Sequence, residues 1–221
     1  MALTKKLFIT IAIAFISALA VAQDSIPHHF TPPIAVEMLF GNDRLAFQMI
    51  VHKKLQENSR FGFFSISSFA VDYRNDRTKN EYTTLVLLNY EIVKGFGISS
   101  GAAVNSNWGF RPYAGFQYIF ANKTVLVIAE PGFYLTESHN FKTLAIIEFK
   151  PKIKKNWSLY CRLQGLYSQN LQTNHHERSY VYARLGVKYN NFGFGLGSNI
   201  DWHGSDKELK QNYGLFLCTA L

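Results

Sequence analysis

A histidine two residues before a serine, His203-Gly204-Ser205, is the one spacing in this chain that could support nucleophilic chemistry. A hydroxyl is a weak nucleophile until a base takes its proton, and the base works best when a third polar group orients it. Asp201, Asp206 and Glu208 stand near enough in sequence to be that group. The same stretch also reads as an ordinary polar loop. The expectation is therefore no catalytic residues, with His203 and Ser205 as the alternative pair.

Metal chemistry has thinner support. His28-His29 and His175-His176, the second followed by Glu177, are adjacent donors. Neighbouring side chains of an extended chain point apart, and neither pair has a third spaced ligand. Cys161 and Cys218 lack ligand spacing, and their positions fall on opposite faces of extended segments, which argues against a disulfide. No phosphate-binding loop or nucleotide fingerprint occurs. No metal and no cofactor are expected.

The remaining candidates are polar residues embedded in otherwise apolar segments: Glu130, Glu148, Arg162, Gln164, Arg184, Lys188, Asn199 and Asp201, with Gln48, His52 and Gln117 less securely placed. What these can do depends on the elements that hold them. The clearest such element flanks Asn190-Asn191. The residues 180–189 and 192–202 alternate with period two, the mark of β-strands. Two asparagines suit a tight hairpin, because Asn tolerates positive φ. Pairing Tyr189 with Phe192 puts Val181, Leu185, Phe194, Leu196 and Trp202 on one face. It puts Arg184, Lys188, Asn199 and Asp201 on the other, with Arg184 over Gly197 and Lys188 over Gly193.

The rest of the chain repeats this design. Extended, aromatic-rich segments are expected near 34–41, 44–55, 61–73, 81–93, 96–106, 111–121, 124–135, 140–150, 156–168, 178–189, 192–202 and 212–221. Compact connections (56–60, 94–95, 122–123, 151–155, 190–191) alternate with polar ones (42–43, 74–80, 107–110, 136–139, 169–177, 203–211). Strict alternation places successive connections on opposite rims of an up-and-down barrel. Twelve strands of this length, with aromatics near their ends, fit an all-β, antiparallel transmembrane β-barrel whose apolar face meets lipid. Nineteen Phe and twelve Tyr against three Met agree with strands and aromatic girdles. Beyond the N-terminus no apolar run reaches the roughly 20 residues of a spanning helix. Pro131, inside a strand segment, predicts a bulge or kink, with Gly132 helping.

The chain's 221 residues divide on this reading into three parts. Residues 1–22 form a cleaved signal peptide: Lys5 and Lys6, an apolar stretch, then Ala20-Val21-Ala22. Its removal lowers the formal charge from +8 to +6, since it carries two lysines. Residues 23–33 form a flexible lead-in and 34–221 the outer-membrane barrel. The polar residues singled out above would line the lumen, where unpaired charges are costly. Glu130 is expected to pair with Arg162, Arg184 or both. Such side chains could simply plug a narrow barrel, or arginines could select anions along a solute path. The basic turn Pro151-Lys152-Ile153-Lys154-Lys155 would meet anionic headgroups or remain solvated. Charges spread over rims and lumen argue against nucleic acid as a partner.

Three resemblances bear on this reading. The segment Asn212-Tyr213-Gly214-Leu215-Phe216-Leu217-Cys218-Thr219-Ala220-Leu221 resembles the C-terminal insertion signal of bacterial outer-membrane proteins, departing from it in ending on Leu221 rather than an aromatic. That implies handling by the barrel-assembly machinery during insertion. His203 and Ser205 resemble the His-x-Ser pair of outer-membrane phospholipases and lipid A deacylases, which implies a lipid hydrolase as the alternative function. Val36-Glu37-Met38-Leu39-Phe40-Gly41-Asn42, Gly109-Phe110-Arg111-Pro112 with Ala114-Gly115, and Phe192-Gly193-Phe194-Gly195-Leu196-Gly197 resemble a family of small outer-membrane barrels of Bacteroidota. That likeness implies outer-membrane residence and no established activity. The expected function is a narrow passive pore for small solutes or a structural barrel. It would be monomeric and surrounded by outer-membrane lipids and lipopolysaccharide.

Overall fold

The computed structural model describes residues 32–56, 58–74 and 76–221. The expected signal peptide, most of the expected lead-in and His28-His29 lie outside the described residues. Twelve antiparallel strands close into a barrel: β1 (Ala35–Gly41), β2 (Arg44–Lys54), β3 (Phe61–Asp72), β4 (Glu81–Val93), β5 (Phe96–Asn105), β6 (Gly109–Ala121), β7 (Val125–Tyr134), β8 (Asn140–Phe149), β9 (Trp157–Asn170), β10 (His175–Tyr189), β11 (Phe192–His203) and β12 (Glu208–Ala220). Each strand pairs with its sequence neighbours, and β1 closes on β12 from Ala35↔Ala220 to Gly41↔Gly214. Closure leaves no unpaired sheet edge. Mutual bonds between Ile34 and Leu221, at 2.8 and 2.9 Å, bring both ends of the barrel sequence to one rim. That rim also carries the turns at 94–95, 122–124 and 190–191, and is here called the inner rim.

The organising hairpin forms as its sequence dictates. Asn190 takes φ 52°, and Tyr189↔Phe192, Lys188↔Gly193 and Arg184↔Gly197 are in register. Glycine at 197 is required by space: a Cβ there would sit 2.7 Å from Leu39 and 3.1 Å from the Arg184 stem.

Several boundaries differ from the sequence reading, most of all where β10 and β12 begin. β9 runs to Asn170, β10 begins at His175 and β12 at Glu208, so the expected loops 169–177 and 203–211 shrink to four residues each. These strand extensions are polar, and polarity there masks ladder pairing rather than preventing it. Pro131 also behaves differently. Pairing between β6 and β7 lapses between Gly115↔Gly132 and Tyr118↔Ala129, then resumes in the same register, so there is no bulge. Proline has no N–H to give the ladder. The Tyr113 hydroxyl donates instead to the Glu130 carbonyl at 3.3 Å. Register shifts fall at Glu91/Val93 and His176/Arg178.

The outer wall is apolar, with exposed Leu88, Ile98, Phe116, Leu163, Leu185, Leu196 and Leu215. Aromatic pairs stud its ends: Phe61–Tyr90 at 5.0 Å, Trp157–Tyr189 at 5.1 Å and Phe133–Phe141 at 5.5 Å between centroids. The interior is not uniformly polar. Its β2–β8 side is filled by Ile50, Phe64, Leu85, Leu87, Tyr113, Ile128, Leu144 and Ile146, all buried. On that side the middle of several strands is apolar on both faces, between buried polar residues such as Gln48, Asn89, Gln117 and Lys142, because a narrow barrel excludes water by filling itself with side chains.

Candidate functional site

The charged part of the interior is built largely by β9 to β12 with β1, joined by residues of β2, β4, β6 and β8. Alternation along these strands sends every second side chain inward. The result is three charged layers between the rims.

Nearest the outer rim, Glu81 receives Lys210 at 2.8 Å, Arg44 at 3.4 Å and Arg178 at 3.8 Å. Arg178 reaches Asp201 at 2.6 Å, and the Tyr182 hydroxyl donates to the same carboxylate at 3.1 Å. Beside them Glu177 joins Arg111 at 2.9 Å and accepts from Ser168 at 2.7 Å. In the middle, Glu37 holds two guanidinium groups on its Oε1: Arg162 at 2.7 Å and Arg184 at 2.8 Å. All three side chains are at most 3% exposed. Nearest the inner rim, Glu148 takes Lys150 at 2.6 Å and the Tyr160 hydroxyl at 3.2 Å, and Lys54 meets Glu91 at 2.9 Å.

Two small cavities separate the layers. One of about 30 Å³ lies on the outer side, bordered by Glu37, Arg44, Glu81, Arg178, Arg184 and Asp201. One of about 40 Å³ lies on the inner side, bordered by Glu37, His52, Glu148, Tyr160, Arg162 and Lys188. Each has room for a few waters at most. Glu37 borders both cavities, so the Glu37–Arg162–Arg184 cluster is the septum between them. Glu37 Oε2 and Arg162 Nε are buried without a protein partner among the described residues. Bonding capacity is thus left over at the septum.

The residues expected in the lumen are mostly buried, with His52 partly buried at the inner cavity. Glu130, Glu148, Arg162, Gln164, Arg184, Asn199 and Asp201 are buried, and Lys188 is partly buried beside the inner cavity. Gln48 and Gln117 are buried as well. The expected partner of the arginines is corrected. Glu130 accepts from Gln117 and from Ser99, the latter at 3.1 Å, on the apolar side of the interior. Register explains this. Glu130 is level with Leu144, hence with Leu166 and Tyr180, whereas Arg162 is level with Glu148 and Arg184. Those levels lie four residues apart on β9, roughly 13 Å at the rise of a strand. Counting from the rims ignores the stagger that a closed barrel imposes.

Sequence reasoning passed over the true partner, Glu37. The signal was present: Ala35, Glu37 and Leu39 alternate with outward Val36, Met38 and Phe40, so Glu37 shares the inward face. Glu81, Arg178, Lys210 and Arg44 were missed because they stand at strand ends in polar surroundings.

The catalytic alternative fails on geometry. His203 ends β11, with Nε2 3.9 Å from Asp201 Oδ1. Ser205 is exposed in the following turn, and no hydrogen bond joins it to His203 among the described residues. A base that does not reach its hydroxyl cannot activate it. His176 is likewise engaged, with Nδ1 2.8 Å from the Gly204 carbonyl and Nε2 2.9 Å from Ser179.

The fold and its interior therefore define a closed, twelve-stranded antiparallel β-barrel with buried charged clusters in its interior. No protein-family model and no curated protein matches the sequence. Among solved structures, the chain is similar to a NanC porin at 10% identity and TM-score 0.50, covering 85% of this chain and 99% of that one. It is also similar to a KdgM porin at 13% identity and TM-score 0.46, covering 85% and 98%. The likeness to the NanC porin is one of fold.

Proposed function

We propose that this chain is an outer-membrane β-barrel with a narrow passive pathway for small polar solutes, interrupted by the Glu37 septum. A cleaved signal peptide over residues 1–22 would direct its export. The barrel-assembly machinery would insert it, and lipids and lipopolysaccharide would surround a monomer. The resemblance to small barrels of Bacteroidota fits this placement. The apolar outer wall and its aromatic ends suit a bilayer, and the porin fold of the NanC neighbour agrees with a pore. The observation that carries the reading is Glu37 at the boundary of both cavities. On this reading the two cavities are parts of one polar route along the charged side of the interior, with the septum at its middle. The septum holds two guanidinium groups against one carboxylate, a net positive charge that favours anions.

Planar-bilayer recording of the inserted chain tests the pore. Small, anion-favouring conductance is the expected result. No conductance at any voltage, with insertion verified, overturns it. A second reading, a closed structural or interaction barrel, draws on the packed apolar side of the interior, and that silent outcome would favour it.

A further inference from the structure

The two rims differ in charge. Among the described residues of the outer connections, exposed Asp43, Glu137 and Asp206 largely offset exposed Arg74, Arg77, Lys79 and Lys207. The inner connections expose Arg60, Lys94, Lys123, Lys152, Lys154 and Lys155, and no exposed acid stands among the described residues there; Glu57 lies outside them, in another connection than the three lysines at 152, 154 and 155. None of these six cations makes a salt bridge with a described residue. Half of them sit in one turn, residues 150–156, the longest inner connection.

That turn is held in shape. Ile153 N and Lys154 N both donate to the Trp157 carbonyl, at 2.9 and 3.1 Å. Leu159 N donates to the Pro151 carbonyl at 3.0 Å, and Lys152 bridges to Ser158. The turn therefore folds back beside the aromatic belt of Trp157, Tyr189 and Phe194. It presents Ile153, 57% exposed, among its lysines. An apolar tip between cations, level with aromatic anchors, matches a bilayer interface: apolar below, phosphate above.

We infer that the inner rim, centred on Lys152, Lys154 and Lys155, binds the phosphate groups of anionic phospholipids in the adjoining leaflet. The inference rests on the membrane part of the function proposed above and is independent of the pore. Each basic side chain close to an anionic surface is worth roughly fivefold in affinity.

The test titrates the full chain in detergent with phosphatidylglycerol, phosphatidylethanolamine, inorganic phosphate or polyglutamate, following bound adducts by native mass spectrometry. Phosphatidylglycerol should bind most tightly. Its affinity should fall by about two orders of magnitude in the K152Q/K154Q/K155Q variant, and steeply with salt. Equal affinity for phosphatidylethanolamine, or unchanged phosphatidylglycerol binding by the variant, overturns the inference. Inorganic phosphate binding as tightly as the lipid would reassign the site to free anions, and tighter binding of polyglutamate to an acidic polypeptide. Heat-modifiable gel migration, run alongside on both proteins, reports the barrel itself. Its loss in the wild-type chain would indict the membrane reading, whereas its retention with failed lipid preference indicts the rim alone.

Discussion

Glu37 of β1 and Arg162 of β9 meet across the barrel interior at 2.7 Å, with three strands between them in the wall. Along the ladder Glu37 is level with Cys218, Gly193 and Lys188, whereas Arg184, its other partner, is level with Gly197 and Gly214. The carboxylate therefore reaches both arginines through the lumen, over the space that glycine at 197 leaves open. One side chain ties distant parts of the wall and stands between the two cavities.

Removing one member of a buried ion cluster strands the others. Glu37→Ala should destabilise the barrel by about 3–5 kcal/mol, because two guanidinium groups lose their shared carboxylate. Replacing all three charges, as Glu37→Leu with Arg162→Met and Arg184→Met, should recover most of that loss. Urea unfolding in lipid vesicles checks both, and a triple variant less stable than Glu37→Ala would contradict the argument.

Arg178 is shared by Asp201 at 2.6 Å and Glu81 at 3.8 Å. Arg178→Met leaves Asp201 with the Tyr182 hydroxyl and a distant His203. Glu81 keeps Lys210 and Arg44. The expected loss is about 2–4 kcal/mol, concentrated at the outer ends of β10 and β11. Hydrogen exchange should rise there and stay unchanged at the inner rim.

The two-residue link at 42–43, the shortest outer connection, owes its shape to Asn212. Its Oδ1 accepts from Asp43 N at 3.1 Å and Arg44 N at 3.2 Å, and its Nδ2 donates to the Arg44 carbonyl at 2.9 Å. The side chain occupies the space where a Cβ on Gly41 would stand. Asn212→Ala should cost about 1–3 kcal/mol and release the Asp43 and Arg44 amides to exchange. Gly41→Ala should loosen the same link by displacing the carboxamide. Retained protection of both amides in Asn212→Ala would contradict this role.

Where one face of a strand was apolar and the other polar, the sequence alone assigned both, as at 180–189 and 192–202. The alternation of short and polar connections likewise announced an even, closed meander. Three things stayed hidden for physical reasons. At the middle of β4 and β8, residues 85–88 and 144–147, both faces are apolar, so period two carries no contrast there and the filled side of the interior was invisible. The starts of β10 and β12 are polar because they sit at the outer rim, where ladder bonds need no apolar partner. The pairing of Glu130 was misjudged because stagger, not distance from a rim, decides which inward residues meet. Stagger emerges only when the register of all twelve strands is known.

The most direct test of the septum compares single-channel recordings of the wild-type chain and Glu37→Gln, each verified as folded by heat-modifiable migration. The substitution keeps the side chain's shape and removes the charge that clamps Arg162 and Arg184. The account predicts larger conductance and a reversal potential shifted further towards anions. Identical conductance and selectivity in the two proteins would show that the route does not pass Glu37, and would contradict the central claim.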